Sequence, residues 1–288
     1  MDYAAIILLQ TVISISNLVL ISAGLAVIFG MMRVINFAHG EFLMLGGYTA
    51  VIATQHGVPL LLSCFLLAPL LVGLVGLAVE YLVIRHLYGR LLDTMLASWG
   101  VSLILIGLVT VIFGNSVSGI STPFGSIEIG RFSVGLYELF LIAVTLVMVL
   151  GGYGVMRYSR IGLIARATMQ DRTMAASLGI DQRAVYRATF VTGAALSGLA
   201  GALVAPIAGV VPTIGASYLA KCFITVISGG PAIIAGTLSA SALLGGVNVV
   251  VTFLSTPVLA EVALLAAAVL LLRLLPQGIT SKFFRRSQ

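Results

Sequence analysis

The sequence predicts an all-α, polytopic integral membrane helix bundle of eight or nine transmembrane helices, with discontinuous helices among them. Three observations predict it. Of 288 residues, 60% are hydrophobic and 8% charged, with a mean hydropathy of +1.18, whereas a soluble domain carries about 25% charged residues. The apolar residues gather into nine runs along the chain. The basic residues sit in the short segments between those runs.

The runs are approximately Ile6–Gly30, Phe42–Thr54, Pro59–Ile84, Thr94–Phe113, Tyr137–Met156, Ala188–Val211, Phe223–Ser228, Ala232–Leu254 and Val258–Leu272. A span needs roughly 20 apolar residues, and most of these runs supply it. Helices are the natural form, because a helix satisfies its own backbone where lipid offers no hydrogen-bond partner. The second run is short and the seventh is too short to span unaided. Nearly the whole chain, residues 1–288, therefore reads as one membrane domain. MDYAAIILLQ at the N-terminus has no basic region and no small-residue cleavage site, so the first run is expected to be a retained span. Cys64 and Cys222 lie in apolar runs, which argues against a disulfide framework.

A formal net charge of +6 would suggest nucleic acid for a soluble protein. Here the distribution fits the positive-inside rule instead, and no nucleic-acid partner is expected. Arg157–Arg187 holds six arginines against Asp171 and Asp181, a local net of +4, and the tail holds Arg273, Lys282, Arg285 and Arg286, another +4. In Gly114–Leu136, Arg131 is balanced by Glu128. This places residues 157–187 and the C-terminus in the cytoplasm. Counting spans backwards puts Arg85–Asp93 inside and Gly114–Leu136 and the N-terminus outside, with nine crossings if the run near Phe223 counts as one. Small residues recur every four positions at Gly193, Ser197 and Gly201, at Ala194, Gly198 and Ala202, and at Ser241 and Gly245. That spacing lets helix backbones approach closely, and ordinary bundle packing accounts for it.

Three segments are candidates for function. NFAHGEF at Asn36–Phe42 gathers Asn36, His39 and Glu41 within six residues, with Gly40 between the ionisable pair. An ionisable group in hydrocarbon usually faces a cavity or a partner, and Gly40 permits a helix break there. Broken helices in transporters turn free N–H and C=O groups toward substrate. A plain cytoplasmic turn after Arg33 explains the same residues. SGGP at Ser228–Pro231 is a second break, since Pro231 lacks an N–H and disfavours helix at Gly230. A simple tight turn is the alternative, and resemblance between the two breaks is weak. Third, RIGLIARATMQDRTMAASLG at Arg160–Gly179 has the length and composition of one amphipathic helix, with Ile164, Ala167, Met174 and Leu178 on a shared face and Gly179 to end it. Docking on a cytoplasmic partner is one reading of it. A basic helix lying on anionic headgroups is the other.

No GxxxxGK[ST], HExxH, GxSxG or CxxC is present, and the histidines His39, His56 and His86 are scattered. No catalytic constellation or metal cluster is visible, so no cofactor is expected. Energy for active transport would come from a partner or an ion gradient.

INFAHGEFLMLGGY at Ile35–Tyr48, the loop RIGLIARATMQDRTMAASLGI and the closing LLPQG at Leu274–Gly278 resemble the permeases of branched-chain amino acid ABC importers. The shorter, LivH-type subunit matches best, and the resemblance runs across almost the whole chain. Urea and short-chain amide importers use sister permeases with a similar first motif. The resemblance implies a second homologous permease subunit, two cytoplasmic ATPase subunits and a periplasmic substrate-binding protein. It implies that Arg160, Arg166, Asp171, Arg172 and Gly179 belong to the segment that couples the ATPases to the spans. Asn36, His39, Gly40 and Glu41, with Gly229 and Gly230 at the second break, would lie at or near the translocation pathway. This chain departs from its relatives at the second break, reading ISGGPA where they carry LGG, a small residue and Ser or Thr. A secondary transporter that works without nucleotide-hydrolysing partners remains the alternative from another class.

Overall fold

A computed structural model describes residues 2–129 and 132–281. Arg131 and the basic tail residues Lys282, Arg285 and Arg286 lie outside the described residues. Among the described residues, helices joined by loops make up most of the chain, with one hairpin and an isolated bridge between Ser118 and Val210. In order, the elements are α1 (Asp2–Met32), α2 (His39–Gln55), α3 (Leu60–Leu62), α4 (Ala68–Leu82), α5 (Leu91–Phe113), β1 (Ser126–Ile129), β2 (Phe132–Gly135), α6 (Leu136–Tyr158), α7 (Arg160–Gln170), α8 (Arg172–Ser177), α9 (Gln182–Ala208), α10 (Ile214–Gly229), α11 (Ile233–Leu254) and α12 (Pro257–Leu274). A π-helical turn, Ser63–Leu67, joins α3 to α4, and a 3-10 turn, Ile84–His86, follows it.

Every apolar run of the sequence falls on a helix. Among the described residues, seven helical stretches are long and apolar enough to cross a membrane. They are α1, the continuous stretch Leu60–His86, α5, α6, α9, α11 and α12, and together they make a polytopic membrane helix bundle. α2 has 17 residues and α10 has 16. At 1.5 Å per residue each is about 25 Å long, shorter than the ~30 Å hydrocarbon core. The seventh run, six residues in the sequence reading, extends backwards because Ile214–Lys221 continues the helix through small and polar residues.

Two differences from the sequence expectation have local causes. The segment Gly114–Leu136 carries an antiparallel hairpin, with Ser126 opposite Gly135 and Glu128 opposite Ser133. Its strand SIEI alternates apolar and polar residues, the period of a strand, and Ile127 stays exposed on this chain. The arginine-rich loop is two helices, not one. Asp171 is extended and its carboxylate accepts from the Thr173 and Met174 amides at 2.8 and 3.0 Å, so it caps α8 and stops α7. The buried positions are consequently Gly162, Ala165, Thr168 and Ala175, while Ile164, Met174 and Leu178 are exposed on this chain. Gly179 does end the segment, in the left-handed region at φ 83°. Asp181 then caps α9 through the Arg183 and Ala184 amides.

The chain divides into two compact units, Met1–Ser22 with Thr122–Gly151 and Lys221–Gln288, and Ala23–Ser121 with Gly152–Ala220. The second unit is built on α9, which lies against α2 and α4. A methyl group at Gly46 would sit 2.7 Å from the Gly198 carbonyl carbon, and one at Gly201 would sit 2.6 Å from that of Leu43. The other side of Gly198 faces Val72 and the Ala68 carbonyl of α4. The four-residue spacing read in the sequence thus serves backbone-to-backbone packing of three helices. In the first unit, Gly245 of α11 meets Ile15 of α1, and Ile6, Ile13 and Val134 form a small apolar core.

Candidate functional site

Arg33 ends α1 in the left-handed conformation, at φ 51°, which costs a non-glycine residue about 1–2 kcal/mol. The chain then turns on Asn36. Its side-chain oxygen accepts from the Ala38 amide at 3.0 Å and its carbonyl from the His39 amide at 3.2 Å. The Phe37 amide is held by Ser98 Oγ of α5 at 3.0 Å. Helix α2 begins at His39, so Gly40 lies inside its first turn and is not the break. What Gly40 provides is proximity, since a methyl there would sit 2.6 Å from the Gly215 carbonyl carbon at the start of α10.

The polar residues of this turn are interior groups. Asn36 and His39 have no exposed surface and Glu41 has 1%, unlike a solvated cytoplasmic turn. Ser197 Oγ of α9 donates to the Gly193 carbonyl at 2.8 Å. Its single proton is thereby used, so its 3.2 Å contact with His39 Nδ1 is one in which the imidazole donates. Ser102 Oγ of α5 donates to Glu41 Oε1 at 2.8 Å. The other carboxylate oxygen, Oε2, and the Asn36 amide nitrogen are buried without a hydrogen-bond partner among the described residues. Leaving such a group unsatisfied costs about 1–3 kcal/mol. Ser197 of α9 and Ser102 of α5 thus contact a buried imidazole and a buried acid on α2.

The sequence reading singled out Asn36, His39, Gly40 and Glu41, and the structure brings them together. It did not find Ser98, Ser102 or Gly215. Ser98 and Ser102 are four apart on α5, one face of a helix, but nothing in the sequence ties them to residues 61 positions earlier. Ser197 was noticed only as a small residue.

Gly229 and Gly230 belong to the other unit. Gly230 is left-handed at φ 86°, and helix stops at Gly229 as the Pro231 argument requires. The break is closed over by the chain after α12. Thr280 Oγ1 donates to the Gly229 carbonyl at 2.6 Å, and the Ile279 amide donates to the Ser228 carbonyl at 2.9 Å. Gly229 also lies against Gly236 at the first turns of α11.

The arginine-rich segment reaches the first break. Arg172, at the start of α8, donates to the Met32 carbonyl at 3.3 Å, one residue before Arg33. Its guanidinium lies 5.3 Å from the Tyr186 ring, which meets Tyr88 edge-on at 5.2 Å. Tyr88 in turn donates to Glu80 of α4 at 2.5 Å. Burial, and then the hydrogen bond to Glu80, pushes the Tyr88 phenol well above the ordinary tyrosine value, so it stays protonated and remains a donor. Gln182 donates to the Arg172 carbonyl at 2.6 Å, and Arg166 donates to the Met156 carbonyl at the end of α6. Arg160 opens α7, whose cap Ser159 accepts from the Gly162 amide. Glu80, Tyr88 and Tyr186 are not legible from the sequence, because their contacts join α4, the turn before α5 and α9.

The family described as the branched-chain amino acid transport system permease component matches residues 7–274. The high-affinity branched-chain amino acid transport system permease protein LivH of Salmonella typhimurium is 29% identical, over 93% of this chain and 92% of its own. The corresponding BraD protein of Pseudomonas aeruginosa is 30% identical over 80% of both chains. A probable LivH permease of Methanocaldococcus jannaschii is 26% identical over 88% of this chain and 82% of its own. No solved structure matches it. A polytopic bundle whose sequence matches the family model from its first helix to its last, the chain belongs to the branched-chain amino acid transport system permease family.

Proposed function

We propose that this chain is one permease subunit of an ABC importer that carries branched-chain amino acids inward across a bacterial inner membrane. The observation that carries the reading is the near-full-length likeness to relatives named as branched-chain amino acid permeases. A second homologous permease completes the pathway, two ATPase subunits drive it from the cytoplasm, and a periplasmic binding protein delivers substrate. The chain itself performs no covalent chemistry. The charge pattern supports an N-terminus outside and a C-terminus inside, within a single permease domain.

Transport on this reading is alternating access. The buried turn at Asn36, His39, Gly40 and Glu41 borders the pathway, and movement of α2 brings its unpartnered polar atoms toward substrate. Gly229 and Gly230 form the second hinge, held by the chain around Thr280. The segment with Arg160, Arg166, Asp171, Arg172 and Gly179 receives the ATPases, and the Arg172–Met32 hydrogen bond is the route from that segment to the first break. The exposed Ile164, Met174 and Leu178 suit such a docking face. Affinity purification of the tagged chain from its native membrane tests the assembly. Recovery of an ATPase and a second permease in stoichiometric amount is expected, and a chain that purifies alone while still transporting would overturn the reading.

A further inference from the structure

Lys221 and Glu261 belong to the first unit. Lys221 is the eighth residue of the 16 in α10, and Glu261 is the fifth of the 18 in α12. Glu261 is therefore about 6 Å inside the start of an apolar helix whose next charge is Arg273. Nζ and Oε1 are 2.5 Å apart, yet the side chains are 27% and 56% exposed. Charged groups within spans rarely face lipid, and they usually face a partner or an aqueous cavity. This contact uses one of three ammonium protons and one of about four carboxylate lone-pair sites, so the pair keeps most of its binding capacity on the open side. The surface around Glu261 is aliphatic. Val258, three residues before it, and Leu265, four after it, share its face of α12 and are exposed. On α10 itself, the exposed residues before Lys221 are the small Ala216, Ser217 and Ala220.

We infer that Lys221 and Glu261 receive the zwitterionic head group of an α-amino acid, with its aliphatic side chain against Val258 and Leu265. The inference rests on the amino acid permease reading and adds a contact site to it. The ligand carboxylate pairs with the Lys221 ammonium, and the ligand ammonium pairs with the Glu261 carboxylate. An α-amino acid carries both charges on adjacent groups, so it can enter the pair and leave no charge unmatched. A neutral amide or urea has no such charges to exchange.

Tritiated leucine uptake tests this in cells lacking other leucine transport, with the chain expressed beside its native partner subunits and uptake normalised to membrane abundance. The double variant Lys221→Glu with Glu261→Lys keeps a clip between the helices but reverses its polarity. Lys221→Met with Glu261→Gln removes both charges at similar volume. Both should lose uptake by about tenfold or more, as expected for lost charge-assisted hydrogen bonds, while Lys221→Arg retains most of it. If the reversed pair inserts poorly, the neutral pair at normal abundance decides. Uptake within about twofold of wild type in either double variant would reduce the pair to a structural clip. Failure of the wild-type assembly to take up leucine would instead overturn the amino acid permease reading, and the site with it.

Discussion

Replacing Gly201 with alanine places a methyl group between the backbones of α9 and α2. It would sit 2.6 Å from the Leu43 carbonyl carbon and 2.8 Å from the Leu43 Cα, where carbon atoms rest at about 3.5–4.0 Å. The two helices must therefore separate by roughly 1 Å. Overpacking of this kind costs about 1–3 kcal/mol, and a clash with backbone, which cannot rotate away, belongs at the upper end. Alanine recovers up to about 1 kcal/mol of helix propensity, which leaves a net loss of about 2 kcal/mol. Gly107 of α5 is the control, since a methyl there meets nothing within 4 Å and alanine should be neutral or stabilising. Thermal stability of the purified assembly, followed by fluorescence-detected size exclusion, should fall by several degrees for Gly201→Ala and not for Gly107→Ala. Leucine uptake should fall with it, because α2 carries His39 and Glu41 against Ser197 and Ser102. Equal stability of the two variants would refute the claim that backbone contact between α2 and α9 holds the candidate site.

Three further outcomes are expected. Glu41→Ala should lower leucine uptake more than Leu45→Met at equal membrane abundance, and equal behaviour would reduce Glu41 to a turn residue. Arg166→Glu and Gly179→Pro should each abolish uptake while the protein still reaches the membrane, the second because proline cannot adopt the left-handed φ of 83° found there; normal transport by either would remove the coupling role. Tyr88→Phe takes the donor from the buried Glu80 carboxylate and should cost about 1–3 kcal/mol of stability; an unchanged melting temperature would mean that Glu80 is satisfied elsewhere.

The bundle was legible because lipid imposes one rule on every segment, that the backbone must satisfy itself, and nine apolar runs obey it. Single residues that act locally were legible as well. Pro231 and Gly230 stop α10 as expected, and Gly179 ends the arginine-rich segment. Competition between local signals was read less well. In the sequence Asp171 reads as one charge within a helix, whereas its carboxylate caps the next helix and divides the segment in two. Gly40 permits a break, but the turn is made by Arg33 and Asn36, and the glycine serves a contact with Gly215. Partners far apart in sequence were not legible. Ser102 with Glu41, Ser197 with His39 and Arg172 with the Met32 carbonyl depend on which helices meet, and small-residue spacing marks a packing face without naming its partner.

The central claim is that this permease moves a branched-chain amino acid only when partner ATPases hydrolyse ATP. Its most direct test is leucine uptake into proteoliposomes holding the whole assembly, with the binding protein on the outside and nucleotide within. Uptake should require ATP and stop with a non-hydrolysable analogue. Uptake at the same rate without nucleotide would contradict the account and make the chain a secondary transporter.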